Sequence, residues 1–394
     1  MPQHSEGIYI SREQRTTNNE QRTTNNGQRT TNNDLKHIPA LDGIRGLAIL
    51  LVMVSHFILR EWWSSQQWYN LVQGGWLGVD LFFVLSGFLI TGILLDAREK
   101  PGYFGNFYRR RVLRIFPLYY AAVLVTWLTI LFVEKAPERL QGYDSFGWFF
   151  AFAPNIAMGL KGDWLYHSHI FNLNHLWSLA IEEQFYLLWP LVVRFTPNRY
   201  LLLVCVLLVH FSTGLRYWAD DMAGAHHSRA SYVMPYCRMD GLAAGAFLAV
   251  FFRLDLPSFV PYDKWIARAL ACLMGYRIYD ALWNGNTQYL ATMTALFFAA
   301  LLYLALNQDR NALVRNLCET PFLRHLGKYS YGLYVFHLMF EYAWLEAFKK
   351  PLETSGWGPV WMQTAYVLLA FVGTYLLARL SWALLEQPFL RLKK

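Results

Sequence analysis

Two basic side chains stand eleven residues apart in the segment LDGIRGLAILLVMVSHF, Arg45 and His56. In a helix that separation is three turns plus about 20°, so both lie on one face with about 16 Å of rise between them. A neutral imidazole near pH 7 can take a proton from a hydroxyl or carry an acyl group for part of a cycle. A guanidinium on the same face can steer an anionic donor or stabilise developing negative charge. The spacing fits equally a histidine bonded to a neighbouring helix for structural reasons alone.

A second stripe lies in NHLWSLAIEEQFYLLWP, where His175, Ser178, Glu182 and Tyr186 share one helical face. Glu183 is turned about 80° away from this stripe if the helix is regular. A carboxylate inside such an apolar run must be paired, protonated or solvated. A structural Glu–Arg pair, with Arg238 as one candidate partner, competes with a functional role. The stripe of His, Ser, Glu and Tyr exceeds what a pair needs.

The run FYRRRVLRIFPLYY supplies Arg109, Arg110, Arg111 and Arg114. Positive loops hold a membrane chain in place, which explains the charge but not arginine at every position. Guanidinium forks suit bidentate phosphate contacts, so Arg110, Arg111 and Arg114 are candidates to hold a phosphorylated cytosolic cofactor. In GGWLGVDLFFVLSGFLITGILL, Asp80 needs a partner, as a salt bridge, a helix cap or part of a site. Ser86 and Gly87 in the same run can sit at a close helix contact. CRMDGLAAGAFLA adds a small-xxx-small motif, Gly241 and Gly245, with Arg238 and Asp240 as partners or anchors. In GKYSYGLYVFH, Ser330, Tyr334 and His337 share a face, and His337 admits the same two readings as His56. His167 with His169, and His226 with His227, lack any completing carboxylate or cysteine pattern, so no metal site is expected. Cys205, Cys237, Cys272 and Cys318 are too scattered for a disulfide framework.

The elements that must position these groups are membrane helices. Of 394 residues, 55% are hydrophobic and 16% charged, against about 25% charged in soluble domains. This excludes a disordered chain, a coiled coil or a nucleic-acid module as the main reading. The net charge of +8 reads as positive cytoplasmic loops. Ten segments approach the roughly 20 apolar residues that a crossing needs. They begin near Ile44, Trp76, Ile115, Leu176, Tyr200, Val233, Trp265, Gln288, Lys328 and Val360. The stretch Phe146 to Leu160 is short, contains Pro154 and Asn155, and reads as re-entrant or interfacial. With both termini cytoplasmic, most lysines and arginines fall on the inner side. The expected fold is an all-α polytopic membrane helix bundle of about ten transmembrane helices, over residues 37–394. Residues 1–36 form a polar tail with three seven-residue repeats, EQRTTNN, EQRTTNN and GQRTTNN. No position of the repeat is apolar, so it reads as disordered rather than coiled coil. It carries no apolar signal-peptide core.

From Leu41 to Pro388 the chain resembles the acyltransferase 3 family, integral-membrane acyl-CoA-dependent O-acyltransferases of the O-antigen and exopolysaccharide acetylase type. The resemblance is carried by LDGIRGLAILLVMVSHF, GVDLFFVLSGFLI, FYRRRVLRIFPLYY, HLWSLAIEEQFYLLWP, RMDGLAAG, GKYSYGLYVFH and the closing EQP. The family's Arg, ten residues, His signature falls on Arg45 and His56. Its Arg-x-x-Arg falls on Arg111 and Arg114, its Ser-Gly-Phe on Ser86, Gly87 and Phe88, and its Trp-Ser-Leu-x-x-Glu on Trp177, Ser178, Leu179 and Glu182. The resemblance implies transfer of an acyl group, acetyl by preference, from acyl-CoA to a hydroxyl of a cell-envelope polysaccharide or its lipid-linked precursor. The setting implied is the bacterial inner membrane. The expected catalytic set is His56, Arg45 and Glu182, with Arg110, Arg111 and Arg114 on the donor phosphates. Ser86, Asp80, His175, Ser178, Tyr334 and His337 support the site or bind substrate. Some members carry an appended extracytoplasmic esterase-like domain; none follows Lys394 in this sequence, which leaves open whether a separate extracytoplasmic transferase partner completes the transfer. Two other classes compete. A secondary transporter or glycan exporter would show matched halves with broken helices, of which the sequence has no echo. A membrane sensor or scaffold would depend on the tail.

Overall fold

A computed structural model of the chain describes residues 38–135, 145–165, 169–222, 229–254, 263–284, 290–306 and 312–392. The repeat tail, His167, His226 and His227 lie outside the described residues. The described residues form helices and no strand. In chain order they are α1 (Pro39–His56), α2 (Gln66–Gln73), α3 (Gly78–Ala97), α4 (Tyr103–Phe132), α5 (Phe146–Phe150), α6 (Pro154–Lys161), α7 (Leu176–Phe195), α8 (Asn198–Met222) and α9 (Arg229–Val233). There follow α10 (Pro235–Phe251), α11 (Asp263–Trp283), α12 (Leu290–Leu306), α13 (Ala312–Cys318), α14 (Pro321–Met339), α15 (Glu341–Trp344), α16 (Lys350–Glu353), α17 (Pro359–Ser381) and α18 (Gln387–Arg391).

Each of the ten expected apolar segments is helical. Five stretches are both long and apolar enough to cross a membrane: Pro39–His56, Gln66–Ala97, Tyr103–Phe132, Asn198–Met222 and Pro359–Arg391. Their outward faces carry large apolar side chains, among them Leu124, Leu128, Leu203, Leu207, Leu368 and Leu376. In a bilayer such faces meet lipid, while the backbone polar groups stay bonded within each helix. The Phe146 to Leu160 stretch folds as the short pair α5 and α6. The chain reverses between them at Phe152, whose φ of 52° is a left-handed conformation, and Pro154 starts α6.

Two close approaches seat the helices around the site. A Cβ at Gly245 on α10 would fall 1.8 Å from the Val84 carbonyl oxygen of α3, and one at Gly46 on α1 would fall 1.9 Å from that of Leu323 on α14. Only glycine allows backbones so near one another, and without a hydrophobic force between helices in lipid such packing holds the bundle together. Side-chain bonds to backbone add fixed points. Tyr103 and Tyr108 of α4 donate to the carbonyls of Pro190 and Leu187 on α7 at 3.0 and 2.8 Å. Tyr331 of α14 donates to the Ile115 carbonyl of α4 at 2.6 Å, and the Trp189 indole of α7 to Thr91 of α3 at 2.8 Å. These hold α3, α4, α7 and α14 in register around one chamber.

Candidate active site

The chamber is a cavity of about 100 Å³. Arg45 enters it from α1, Ser86 from α3, Arg111 and Arg114 from α4, Ser178, Glu182 and Tyr186 from α7, and Tyr331 and Tyr334 from α14. Val79, Phe82, Phe83, Ile115 and Leu179 form its apolar wall. Helix α4 starts well before the apolar run at Ile115, so the arginine cluster is itself helical. That is why Arg111 and Arg114, three apart, point the same way. Arg110, one residue earlier, is rotated by about 100° and is exposed away from the chamber. It does not join the expected phosphate-holding set.

Inside, three side chains form a chain of hydrogen bonds. The Tyr186 hydroxyl donates to Glu182 Oε2 at 3.1 Å, and it therefore accepts from Ser86 Oγ at 2.6 Å. The Arg111 guanidinium lies 5.2 Å from the centre of the Tyr186 ring and 5.8 Å from that of Phe107, within cation–π range. Arg45 keeps a 3.6 Å ion pair with Asp42 and lies within electrostatic reach of Arg111 and Arg114. Three guanidinium groups and one carboxylate line the chamber itself, with Asp42 and Glu183 off its wall, and the inward forks suit an anionic ligand. Glu183 is the residue that the helical wheel missed. It lies within electrostatic reach of Arg111 as well, and its Oε1 is buried without a hydrogen-bond partner. The Glu-Glu doublet was the available signal.

His56 is not part of the chamber wall, although it shares a helix face with Arg45. It sits at the far end of α1, its ring centre 5.0 Å from that of His337, which is in turn 5.1 Å from His175. Each ring has one nitrogen on a backbone carbonyl: His56 Nδ1 on Val52 at 2.7 Å, His337 Nδ1 on Tyr334 at 2.6 Å and His175 Nε2 on Val335 at 3.0 Å. A carbonyl only accepts, so those nitrogens carry the protons and the opposite nitrogens keep lone pairs. The lone-pair atoms His175 Nδ1 and His337 Nε2 are buried without partners. Between cluster and chamber stands a knot. Ser178 Oγ and the Tyr334 hydroxyl are 2.5 Å apart and lie 3.2 and 3.1 Å from the His175 carbonyl; with two protons for three contacts, one hydroxyl donates to the other and that one donates to the carbonyl. Ser178 and Tyr334 belong to the lining of the arginine chamber, and none of the three imidazoles does.

Asp80 takes the first of its expected roles, as a salt bridge. It pairs with Arg238, both buried, and stays off the chamber wall. The guanidinium is flanked by the rings of Phe83, Trp177 and Tyr232 at 5.5 to 5.7 Å. Arg238 is therefore not the partner of Glu182. Asp240 is paired instead with Arg216 at 2.6 Å and accepts from Thr292 at 2.9 Å. Among the described residues no group of three His, Cys, Asp or Glu side chains could hold a metal ion.

Comparison with known proteins bears on the family rather than on the site. The protein named "Putative peptidoglycan O-acetyltransferase YrhL" of Bacillus subtilis strain 168 is 27% identical over 380 residues, 90% of this chain and 55% of its own length. The O-acetyltransferase OatA of Staphylococcus aureus strain NCTC 8325 / PS 47 is 27% identical over 377 residues, 90% of this chain and 57% of its own. The chain thus spans a little over half the length of these relatives. No solved structure matches it. The family model described as an acyltransferase domain matches residues 38–379, a range that takes in every side chain of the chamber and of the imidazole cluster, and the chain belongs to this acyltransferase 3 family.

Proposed function

We propose that the chain moves an acyl group, acetyl in the first instance, from acyl-CoA to a hydroxyl of a cell-envelope glycan. The observation that carries this reading is the chamber, where Arg45, Arg111 and Arg114 face Glu182 across a small polar–apolar space. The arginines take the donor's phosphates, and the apolar wall takes the acyl end. His56 Nε2, with its lone pair free, removes the acceptor's proton as the hydroxyl oxygen attacks the thioester carbonyl. The carbon–sulfur bond breaks, and the proton passes to the departing thiolate, so acetyl ester and CoA leave in balance. Glu182 orients the acceptor or the Arg45 head group. Ser86 supports Glu182 through Tyr186. His175, Ser178, Tyr334 and His337 line the passage, and the Ser178–Tyr334 knot opens during each cycle to bring thioester and imidazole together. The relative named as a putative peptidoglycan O-acetyltransferase makes that polymer the first acceptor to try; its lipid-linked precursor is the second.

In this reading all ten long helices of the bundle cross the bacterial inner membrane with both termini cytoplasmic, which matches the distribution of lysine and arginine. Residues 1–36 are a tail ahead of a membrane acyltransferase domain, 37–394. A partner outside the membrane, or a further domain as the longer relatives allow, completes delivery. The test uses membranes supplied with labelled acetyl-CoA and a peptidoglycan acceptor. Wild type transfers label, and His56→Ala loses about 10²-fold or more, the usual worth of a general base. Wild-type turnover in the variant overturns the role of His56. Binding of CoA to the purified chain separates an acyltransferase from a transporter, which has no use for CoA.

A further inference from the structure

Helix α1 ends at His56, and the next residues leave the helix before the short turn Arg60–Trp62. Such an end is where backbone frays, because the last carbonyls have no helical partner. Here it is gripped from a helix some three hundred positions away. The Gln363 side chain on α17 donates from Nε2 to the Phe57 carbonyl at 2.9 Å and accepts at Oε1 from the Leu59 amide at 2.9 Å. Gln363 is buried. One turn further, Tyr366 is 1% exposed and packs edge-on against Phe57 and Trp62, with ring centres 6.5 and 6.0 Å away. Four backbone or ring contacts from one helix thus fall on the segment that follows the imidazole.

We propose that Gln363 is a positioning residue for His56. Its amide clips the peptide on either side of Ile58 and so fixes where α1 stops and how far the His56 ring reaches toward the acceptor. The inference rests on the reading of His56 as the group that meets the acceptor. An amide is the only neutral side chain of this length with a donor and an acceptor set side by side. Glutamate at this position keeps the bond from Leu59 and loses the donation to Phe57. Leucine loses both.

The experiment compares Gln363→Leu, Gln363→Glu, His56→Ala and Thr364→Ala in the full chain, with acetyl-CoA as donor. Thr364 sits beside Gln363, is exposed, and bonds only to Val360 of its own helix, so it is the control. In Gln363→Leu kcat falls about tenfold or more, as displacement of a positioned group predicts, while KM for acetyl-CoA stays unchanged because the arginine chamber is untouched. Gln363→Glu falls between Leu and wild type. Carbethoxylation of His56 by diethylpyrocarbonate, read by mass spectrometry without any substrate, speeds up in Gln363→Leu and not in Thr364→Ala. A folded Gln363→Leu with wild-type kcat and labelling rate overturns the clip, while His56→Ala remains inactive and the acyltransferase reading stands. If Gln363→Leu does not fold, the kcat and labelling rate of Gln363→Glu decide in the same way. Full activity in His56→Ala overturns both.

Discussion

The arginine chamber and the imidazole cluster lie at the two ends of α1 and are built on opposite principles. The chamber is open, charged and crossed by one hydrogen-bond chain that ends on Glu182. The cluster is closed and neutral, with every ring held to a backbone carbonyl and lone pairs left over. On the proposed reading, the inward guanidinium forks of the chamber take the anionic donor and the lone pairs of the cluster take an acceptor hydroxyl, with the Ser178–Tyr334 contact between them.

The largest effect that can break this division is on the charged side. Arg111→Lys together with Arg114→Lys keeps the charge and removes the forks. Loss of a charged hydrogen bond is worth about 1.5–3 kcal/mol, so KM for acetyl-CoA rises about tenfold or more while kcat moves little. An equal fall in kcat with KM unchanged would place these arginines on the reacting atoms instead. A smaller effect sits at the boundary. Tyr334→Phe removes the 2.5 Å bond to Ser178 and the 3.1 Å bond to the His175 carbonyl, each worth about 1 kcal/mol. Hydrolysis of acetyl-CoA in the absence of acceptor then increases, read as free thiol; an unchanged background rate would mean that the knot does not separate the two regions.

The smallest effect concerns the loop after His56. Lys349 holds Glu61 at 2.5 Å, and this hydrogen bond keeps the Glu61 carboxyl below its usual range. Its contribution is complete above the unfolded value near 4.3 and disappears as pH falls through the lower folded value. The pair is partly exposed, so solvent screening limits it to about 0–1 kcal/mol. Glu61→Gln therefore lowers the melting temperature slightly at pH 7 and not at all at pH 3. A large loss at pH 7 would make this loop a main support of the cluster.

The sequence carried the chamber well and the cluster poorly, for physical reasons. Helical periodicity alone brings Arg111 and Arg114 to one face and Ser178, Glu182 and Tyr186 to another, and the fold joins them. The same rule was enough to turn Arg110 away. Glu183 escaped because α7 is enclosed on more than one face, so a wheel with a single inward stripe was too narrow. The contact between Tyr334 and Ser178 was not legible: each reads as polar, but not as partners across 156 positions. Asp80 was open between a salt bridge and a site role, and only the neighbouring helix decides for the bridge with Arg238. Gln363 left no trace, since a lone amide at the start of an apolar run has no periodic companion.

The carbonyls that anchor the three imidazoles have a consequence for bioenergetics. A ring conducts a hydrogen ion only when one nitrogen gives up its own as the other gains one, and a peptide oxygen cannot accept that charge and hand it on. In this arrangement no ring passes a proton to the next through those carbonyl-bound nitrogens. On the proposed reading, a route that opens for a thioester through the bundle is thus not matched by a relay of hydrogen ions along these three rings.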